Sequence, residues 1–133
     1  MIYPPNAVVP IRVRQNREML WAALANGLIQ MVASDHGQRA GTPLQASLPR
    51  IWAEARGRGC TLDQVAGWMC RAPAQLAGLN RKGRIDVGYD ADLAVFDVES
   101  RLVERTYLRG AEIYSREHEF GAPTGRLLTR ASS

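Results

Sequence analysis

The spacing of apolar residues along the chain changes near residue 79. Before that point apolar residues recur every three or four positions, which predicts helices, and after it they alternate with polar residues between turn glycines, which predicts strands. The segment LIQMVAS, at 28–34, is short, apolar and partly β-branched, and it predicts a buried strand of a parallel sheet. A helix followed closely by such a strand is one step of an α/β fold. The pattern therefore predicts a partial α/β layer to about residue 79, followed by a small β unit.

The first predicted helix covers NREMLWAALANG. Asn16 is expected to cap its N-terminus, and Asn26-Gly27 is a stop signal. An apolar stripe is expected at helical spacing. It consists of Met19, Leu20, Ala23 and Leu24. Core packing or packing of the helix against the barrel is expected for all three tryptophans, which lie on predicted helices.

Three more helices are predicted before residue 80. One begins at Ser47, with Pro49 in its first turn, and ends near Gly59. The next begins with a capping box, since Thr61 and Gln64 have the required spacing. The last is the short PAQLAG, which ends at a glycine.

The β part begins with a glycine-rich turn, in which Asp90 and Asp92 are expected to accept hydrogen bonds from backbone amides. The apolar residues at 93–96 then predict a buried strand. Two further strands are expected to join at Arg109-Gly110. The remaining residues, EFGAPTGRLLTRASS, are expected to form a tail on the surface.

Composition narrows the function classes. The 133 residues suit one modest globular domain and are too few for a complete (β/α)₈ barrel, which needs about 250. The net charge of +4 comes from arginines mixed with acids, which disfavours a nucleic-acid partner, and no apolar run is long enough to span a membrane. Cys60 and Cys70 are ten residues apart and do not have the CxxC spacing of zinc sites, which favours reduced thiols. The N-terminus lacks the features of a signal peptide, so a cytoplasmic location is expected.

Two stretches resemble a known family. KGRIDVGYDADLAVFD, at 82–97, resembles the run by which amidohydrolases leave their barrel and enter a small β-sandwich. PIRVRQNREMLWAALANGLIQMVASDH, at 10–36, is similar to the segment leading through the eighth barrel strand of allantoinases and dihydroorotases, with a lean to the allantoinase type through Trp21 and Ser34-Asp35-His36. The resemblance implies the C-terminal part of a (β/α)₈ amidohydrolase barrel, over 1–79, followed by a small β-sandwich portion and tail, over 80–133.

The resemblance also implies a chemistry. Members hydrolyse a cyclic amide or ureide, such as allantoin to allantoate, with two metal ions, usually zinc. An aspartate after strand eight binds one metal and shuttles a proton, and Asp35 is the matching residue, which is expected to be both catalytic and a metal ligand. His36 is expected to bind substrate at most. Spacing alone favours a simpler role for Asp35, in which it caps a loop or helix. For Arg12 a solvent-exposed side chain is at least as well supported as a substrate contact.

The chain departs from this family in its metal ligands. It has two histidines in all, and it lacks the H-x-H pair and the carboxylated lysine, since its single lysine, Lys82, lies in the sandwich-entry turn. Catalytic zinc normally needs three protein ligands. Catalysis is therefore expected to require an N-terminal half, and the exposed sheet edge predicts such a partner or self-association. Two alternatives stay open: a non-catalytic remnant or interaction module, and a dihydroorotase-like or hydantoinase-like substrate.

Overall fold

The computed structural model describes residues 13–33 and 44–128. Contacts divide the chain into two compact units, Met1–Met69 and Cys70–Ser133. This division lies ten residues before the predicted domain boundary between residues 79 and 80, because the short helix that precedes residue 79 packs against residues that follow it. The domain boundary itself stays a prediction.

The first unit is helical in its described part. Helix α1 spans Arg14–Ala25. A 3₁₀ turn at Leu44–Ala46 leads into α2, which spans Ser47–Arg56, and α3 covers Leu62–Ala66. A single π-helical turn, Gly67–Arg71, follows α3 directly and is called the π-turn below.

Large apolar side chains, all three tryptophans among them, form the core of the first unit. The buried residues are Trp21, Leu24, Val32, Ile51, Trp52, Ala55, Val65 and Trp68. The expectation that the tryptophans pack in the core is confirmed. The predicted stripe on α1 is only partly right, because Met19 is 64% exposed and the helix buries Trp21 together with Leu24.

The ends of α1 give one correction and one confirmation. The helix begins at Arg14 after Val13, which makes no side-chain capping bond, so Asn16 lies in the first turn and is not the cap. The predicted stop is confirmed, since the helix ends at Ala25 and Gly27 takes a φ of 76°.

Residues 28–33 do not form the predicted strand. Leu28 is 82% exposed, whereas Val32 is buried and its N–H donates to the Trp68 carbonyl at 3.1 Å. A parallel strand needs neighbours to accept its backbone hydrogen bonds. No such neighbour lies in the described part of the first unit, so the segment is held by a helix instead.

The capping box at the start of α3 is confirmed. The Gln64 N–H donates to Thr61 Oγ1 at 3.2 Å, and the Thr61 N–H donates to Gln64 Oε1 at 2.8 Å. The short predicted helix is present as α4, Ala72–Ala77, which opens the second unit. It has a proline in its first turn and ends at Gly78, where φ is 71°.

An antiparallel sheet of four strands makes up the rest of the second unit, in the order β1-β2-β3-β4. The strands are β1 Leu93–Asp97, β2 Leu102–Leu108, β3 Ala111–Ser115 and β4 Glu119–Phe120. Register shifts interrupt the β1–β2 and β2–β3 pairings. The predicted turn at Arg109-Gly110 is confirmed, and both of its residues have positive φ, which suits a tight hairpin.

Two expectations for the β part are wrong. The strand β1 is not buried, since Val95 is 47% exposed and lies on an edge strand of the sheet. The tail does not begin at residue 119, because Glu119–Phe120 pairs with β3. Residues 121–128 are exposed, as expected. Within the described ranges, no helix has the length and apolar character needed to cross a membrane.

Candidate active-site approach

The candidate site residues Asp35 and His36 lie outside the described residues, as does Arg12. What the structure describes is the segment that leads to them, which ends at Ala33, and the helices against which this segment rests. We call the segment that ends at Ala33 the approach to the candidate site.

The approach is anchored by three residues of the first unit, Val32, Trp68 and Trp21, which we call the tryptophan dock. Val32 is 8% exposed and donates its N–H to the Trp68 carbonyl at 3.1 Å. The Trp68 ring meets the Trp21 ring edge to face, with centroids 6.3 Å apart and planes at 65°. Such pairs are favoured by the ring quadrupoles and contribute about 0.5–1.5 kcal/mol beyond burial. The dock fixes the chain three residues before Asp35.

Arg58 contacts the tryptophan dock through the Trp21 ring. The Arg58 guanidinium lies 4.9 Å from the centre of the Trp21 ring and donates to both carboxylate oxygens of Glu18, at 2.9 and 2.7 Å. It also donates to the side chain and the carbonyl of Glu54, each at 2.7 Å. These bonds link α1 to the end of α2.

The charges of this cluster reinforce each other. The hydrogen bonds that Arg58 donates to Glu18 lower the pKa of Glu18 below its ordinary value, and those that it donates to Glu18 and Glu54 raise the pKa of Arg58. Glu18, Glu54 and Arg58 also line an open depression on the surface. Sequence reasoning missed this cluster, because Glu18 and Arg58 are forty residues apart and no local pattern pairs them.

A second polar cluster lies in the glycine-rich turn before β1 of the second unit. Lys82 donates to Asp90 at 2.9 Å and also to Asp92. Asp92 accepts the Arg109 N–H at 2.8 Å, as predicted for a turn aspartate, whereas Asp90 pairs with Lys82 and Arg81. We call Lys82, Asp90, Asp92 and the Arg109 amide the lysine knot.

The lysine knot has a clear electrostatic consequence. The hydrogen bonds that Lys82 donates to Asp92 and Asp90 raise the pKa of Lys82. Burial acts to raise the pKa of Asp92, but the bonds from Lys82 and from the Arg109 amide outweigh it and lower that pKa. The lysine is thus held as a cation by carboxylates, and it is not a free amine of the kind that a metal site would carboxylate.

The residues that the structure describes do not fit a catalytic metal centre. Across 13–33 and 44–128, no three histidine, cysteine, aspartate or glutamate side chains converge as metal ligands. His118 is exposed, and its Nδ1 lies 3.3 Å from Ser115 Oγ in a local turn, in keeping with the predicted surface role. Any metal bound through Asp35 needs further ligands from elsewhere.

Comparison with known proteins gives a family match over most of the chain. Residues 6–122 match the model of the amidohydrolase family. This range includes Asp35 and His36 as well as both polar clusters.

Several relatives carry allantoinase names. An allantoinase from Streptomyces avermitilis is 38% identical over 91% of this chain, and a probable allantoinase from rice, Oryza sativa subsp. japonica, is 37% identical over 90%. An L-hydantoinase from Paenarthrobacter aurescens is 32% identical over 80%. The chain spans only 36%, 26% and 28% of these relatives' lengths, or about a third.

Solved structures of hydantoinases are also similar to this chain. A D-hydantoinase from Bacillus sp. AR9 is 28% identical, with a TM-score of 0.65 over 90% of this chain and 34% of its own. An L-hydantoinase (dihydropyrimidinase) from Arthrobacter aurescens shares the fold, with a TM-score of 0.70 at 22% identity over 87% of this chain and 35% of its own.

Proposed function

Since the chain belongs to the amidohydrolase family, we propose that it supplies about a third of a metal-dependent hydrolase that opens cyclic amides or ureides, with allantoin as substrate and allantoate as product. The observation that carries this proposal is the 38% identity to an allantoinase over 91% of the chain. In this proposal the first unit is the end of a (β/α)₈ barrel, and the second unit is part of a β-sandwich.

Asp35 is the proposed catalytic residue. It follows the segment 28–33 directly, at the position where barrel enzymes carry their catalytic groups. Its carboxylate accepts a proton from the attacking water while the water oxygen bonds to the ring carbonyl carbon. It then gives this proton to the ring nitrogen as the carbon–nitrogen bond breaks. The ring N–H becomes an NH2 group, and the carbonyl carbon becomes a carboxylic acid that releases the second water proton to solvent to leave a carboxylate, so the atoms of substrate and water are all accounted for.

His36 is proposed to contact the substrate. The two side chains are adjacent in sequence and therefore need not face the same group. A neutral imidazole carries one donor and one acceptor, which suits the alternating N–H and carbonyl groups of a cyclic ureide. This assigns proton transfer to Asp35 and orientation of the ring to His36.

The metal expected for this family is zinc, as two ions, with Asp35 as one ligand. Zinc supplies a Lewis acid for the carbonyl and lowers the pKa of water. The described residues do not hold three ligands together, and the sequence has two histidines in all, so the other ligands must come from polypeptide outside these 133 residues. The proposed partner is accordingly the rest of a family member's barrel, bound without nucleic acid or membrane.

Reconstitution tests this proposal. The full 133-residue chain is mixed with the complement, meaning the part of the Streptomyces allantoinase outside the matched region, in the presence of zinc. We expect ring opening of allantoin only when both parts are present, with at least one zinc per pair, and loss of that activity and part of the zinc on Asp35→Ala. Glu99→Ala serves as the control, since Glu99 is exposed in the β1–β2 turn. Failure of every cyclic ureide to react would overturn the proposal.

A different substrate in the same class is the first alternative. Relatives named dihydroorotase and L-hydantoinase match the chain at 32% identity each. The reconstituted pair separates these readings directly: the ring with the highest kcat/KM among allantoin, dihydroorotate and a hydantoin identifies the substrate.

A non-catalytic module of the same fold is the second alternative. The sequence has two histidines in all and a single lysine, which falls short of the ligand set that the resemblance implies and favours this alternative. It predicts a pair that assembles yet binds no zinc. Stoichiometric zinc that disappears on Asp35→Ala would exclude it.

A further inference from the structure

The turn between β2 and β3 has an unexpected residue at its first position. Arg109 and Gly110 have φ values of 50° and 81°, and they connect the paired residues Leu108 and Ala111. A two-residue turn of this kind needs positive φ at both positions, and Asn-Gly is a sequence that favours it strongly. An arginine is disfavoured at the first position, because the left-handed conformation crowds the Cβ of an L-amino acid. Other contacts of Arg109 therefore have to offset this cost.

Backbone contacts of the turn do not explain the arginine. The Arg109 N–H donates to Asp92 Oδ1 at 2.8 Å, and the Gly110 N–H donates to the Ala91 carbonyl at 2.9 Å. Any residue except proline could make the first of these bonds from position 109. The guanidinium is what the arginine adds, and its Nη2 donates to the Thr124 carbonyl at 3.0 Å.

The Thr124 carbonyl belongs to an exposed segment, residues 121–128, which we call the strap. Each of its eight residues is exposed and lies outside helices and strands. The strap is bound to the sheet where it begins, since the Gly121 N–H donates to the Ile113 carbonyl at 3.3 Å. The fixed φ of Pro123 reduces the number of conformations open to the chain before Thr124. The guanidinium holds the far end of this restricted stretch.

We propose that Arg109 closes the strap onto the β2–β3 turn, and that the strap opens by rotation at Gly121, without unfolding of the sheet, when the guanidinium leaves Thr124. Gly121 has room to rotate, since a Cβ there would meet nothing within 4 Å. Further along the strap, Leu127 is 90% exposed and therefore adds little packing that would resist opening. This inference does not depend on the proposed function.

The strength of the closing bond sets the size of the effect. A hydrogen bond of this kind exchanges with water and contributes a small net free energy, so its loss should raise the fraction of open strap about twofold to tenfold. A protease has to bind an extended segment, so trypsin should cut the Arg126–Leu127 bond in the open state. When opening is fast relative to cleavage, the rate of cleavage follows the open fraction.

A substitution that removes the guanidinium but suits the turn tests the proposal. Arg109→Asn deletes the donor to Thr124 and supplies the residue that the turn favours. Arg101→Asn is the matched control, because Arg101 also has a positive φ, of 59°, and lies in the exposed turn between β1 and β2. Each variant loses one positive charge and one strained arginine, but among the contacts of the described residues only Arg109 donates to Thr124.

Mass spectrometry of the full chain and its variants during brief trypsin digestion gives the two rates that are needed. Cleavage at Arg126–Leu127 reports opening of the strap, and cleavage at Arg105–Thr106, within β2, reports unfolding of the sheet. We expect Arg109→Asn to raise the first rate about twofold to tenfold and to leave the second unchanged. Arg101→Asn should change neither rate.

A second variant guards against misfolding of the first. Arg109→Gly also suits the turn and should raise the rate at Arg126–Leu127 by a similar factor. The proposal would be overturned by an unchanged rate at Arg126–Leu127 in both variants of Arg109, or by an equal increase in Arg101→Asn. A parallel increase at Arg105–Thr106 in both Arg109 variants would also overturn it, because the strap would then open only with the sheet.

Discussion

Different interactions stabilise each of the two units of this chain internally. In the described residues of the first unit, eight apolar side chains are buried, three of them tryptophans. Among the described residues of the second unit only Ala74 and Ser115 reach that degree of burial, and its order comes from strand pairing, turn glycines and the lysine knot. Burial of a large side chain stabilises more than a partly exposed ion pair, so we expect the first unit to be the more stable of the two.

The exposed apolar residues of the second unit sharpen this contrast. Ile85 and Val87 are 87% and 98% exposed, and the edge strand β1 carries Val95. An apolar edge strand is normally paired or covered in a stable protein. Under the proposed function, other polypeptide would cover these residues.

The largest expected effect is the loss of a dock residue. Trp68→Ala removes a buried indole together with its contact to Trp21 and should lower the unfolding free energy by about 3–5 kcal/mol. Urea unfolding followed by tryptophan fluorescence measures this, because all three tryptophans lie in the first unit. The control Met19→Ala, at a 64% exposed position of α1, should change it by less than about 0.5 kcal/mol. Equal effects would contradict the assignment of the core.

A smaller loss is expected in the second unit from Gly83→Ala. Gly83 has a φ of 89°, and a Cβ there would lie 2.7 Å from both the Cys70 carbonyl oxygen and the Ala74 Cβ. The left-handed conformation costs an alanine about 1–2 kcal/mol, and relief of the overlap costs about 1–3 kcal/mol more. Far-UV circular dichroism in urea measures the sum. Gly88→Ala is the control, with a similar φ and nothing within 4 Å, and it should show the first cost alone.

The smallest loss is expected from Lys82→Met, which leaves Asp90 and Asp92 without their ammonium. Hydrogen bonds to charged groups contribute about 1.5–3 kcal/mol, and partial exposure of this cluster places the expected loss at or below the lower end of that range. Thermal unfolding measures it. Arg81→Met is the control, since the Arg81 side chain also pairs with Asp90 but is largely exposed to solvent.

The same knot sets a pH dependence. The pKa of Asp92 is lower in the folded chain, so its contribution to stability is present above the ordinary aspartate pKa and is lost as pH falls through the folded value. The pKa of Lys82 is raised, so its contribution is present below the ordinary lysine pKa and is lost as pH rises through the folded value. In Lys82→Met the part of the alkaline loss that Lys82 causes should disappear, while the part from the Cys70 thiol, whose pKa is raised by burial, should remain. An alkaline loss equal to that of the unmodified chain would count against the knot.

Local signals made much of the secondary structure predictable. The Thr61–Gln64 capping box, the stop at Asn26-Gly27 and the hairpin turn at Arg109-Gly110 all depend on neighbouring residues, and all are confirmed. The tryptophans were correctly placed in the core for the same reason, because large apolar groups at helical spacing have few other places to go.

Features that depend on distant partners were not predictable. The segment 28–33 has the composition of a buried strand, yet strand formation depends on neighbours that composition does not reveal. The Trp68 carbonyl of the π-turn accepts the N–H of Val32, which lies thirty-six residues earlier in the chain. Of the candidate site, the sequence supplied Asp35 and His36 through family resemblance, and the support formed by Trp21, Trp68 and Arg58 emerged only from packing.

A comparison of two aspartates, one from each unit, tests the central claim most directly. The reconstituted pair is prepared with Asp35→Asn and, separately, with Asp92→Asn, and both kcat per folded protein and melting temperature are measured. The account predicts that Asp35→Asn lowers kcat by at least about a hundredfold with the melting temperature retained, as befits loss of a general base. It predicts that Asp92→Asn lowers the melting temperature and leaves kcat unchanged. The reverse pattern, or full activity in Asp35→Asn, would contradict it.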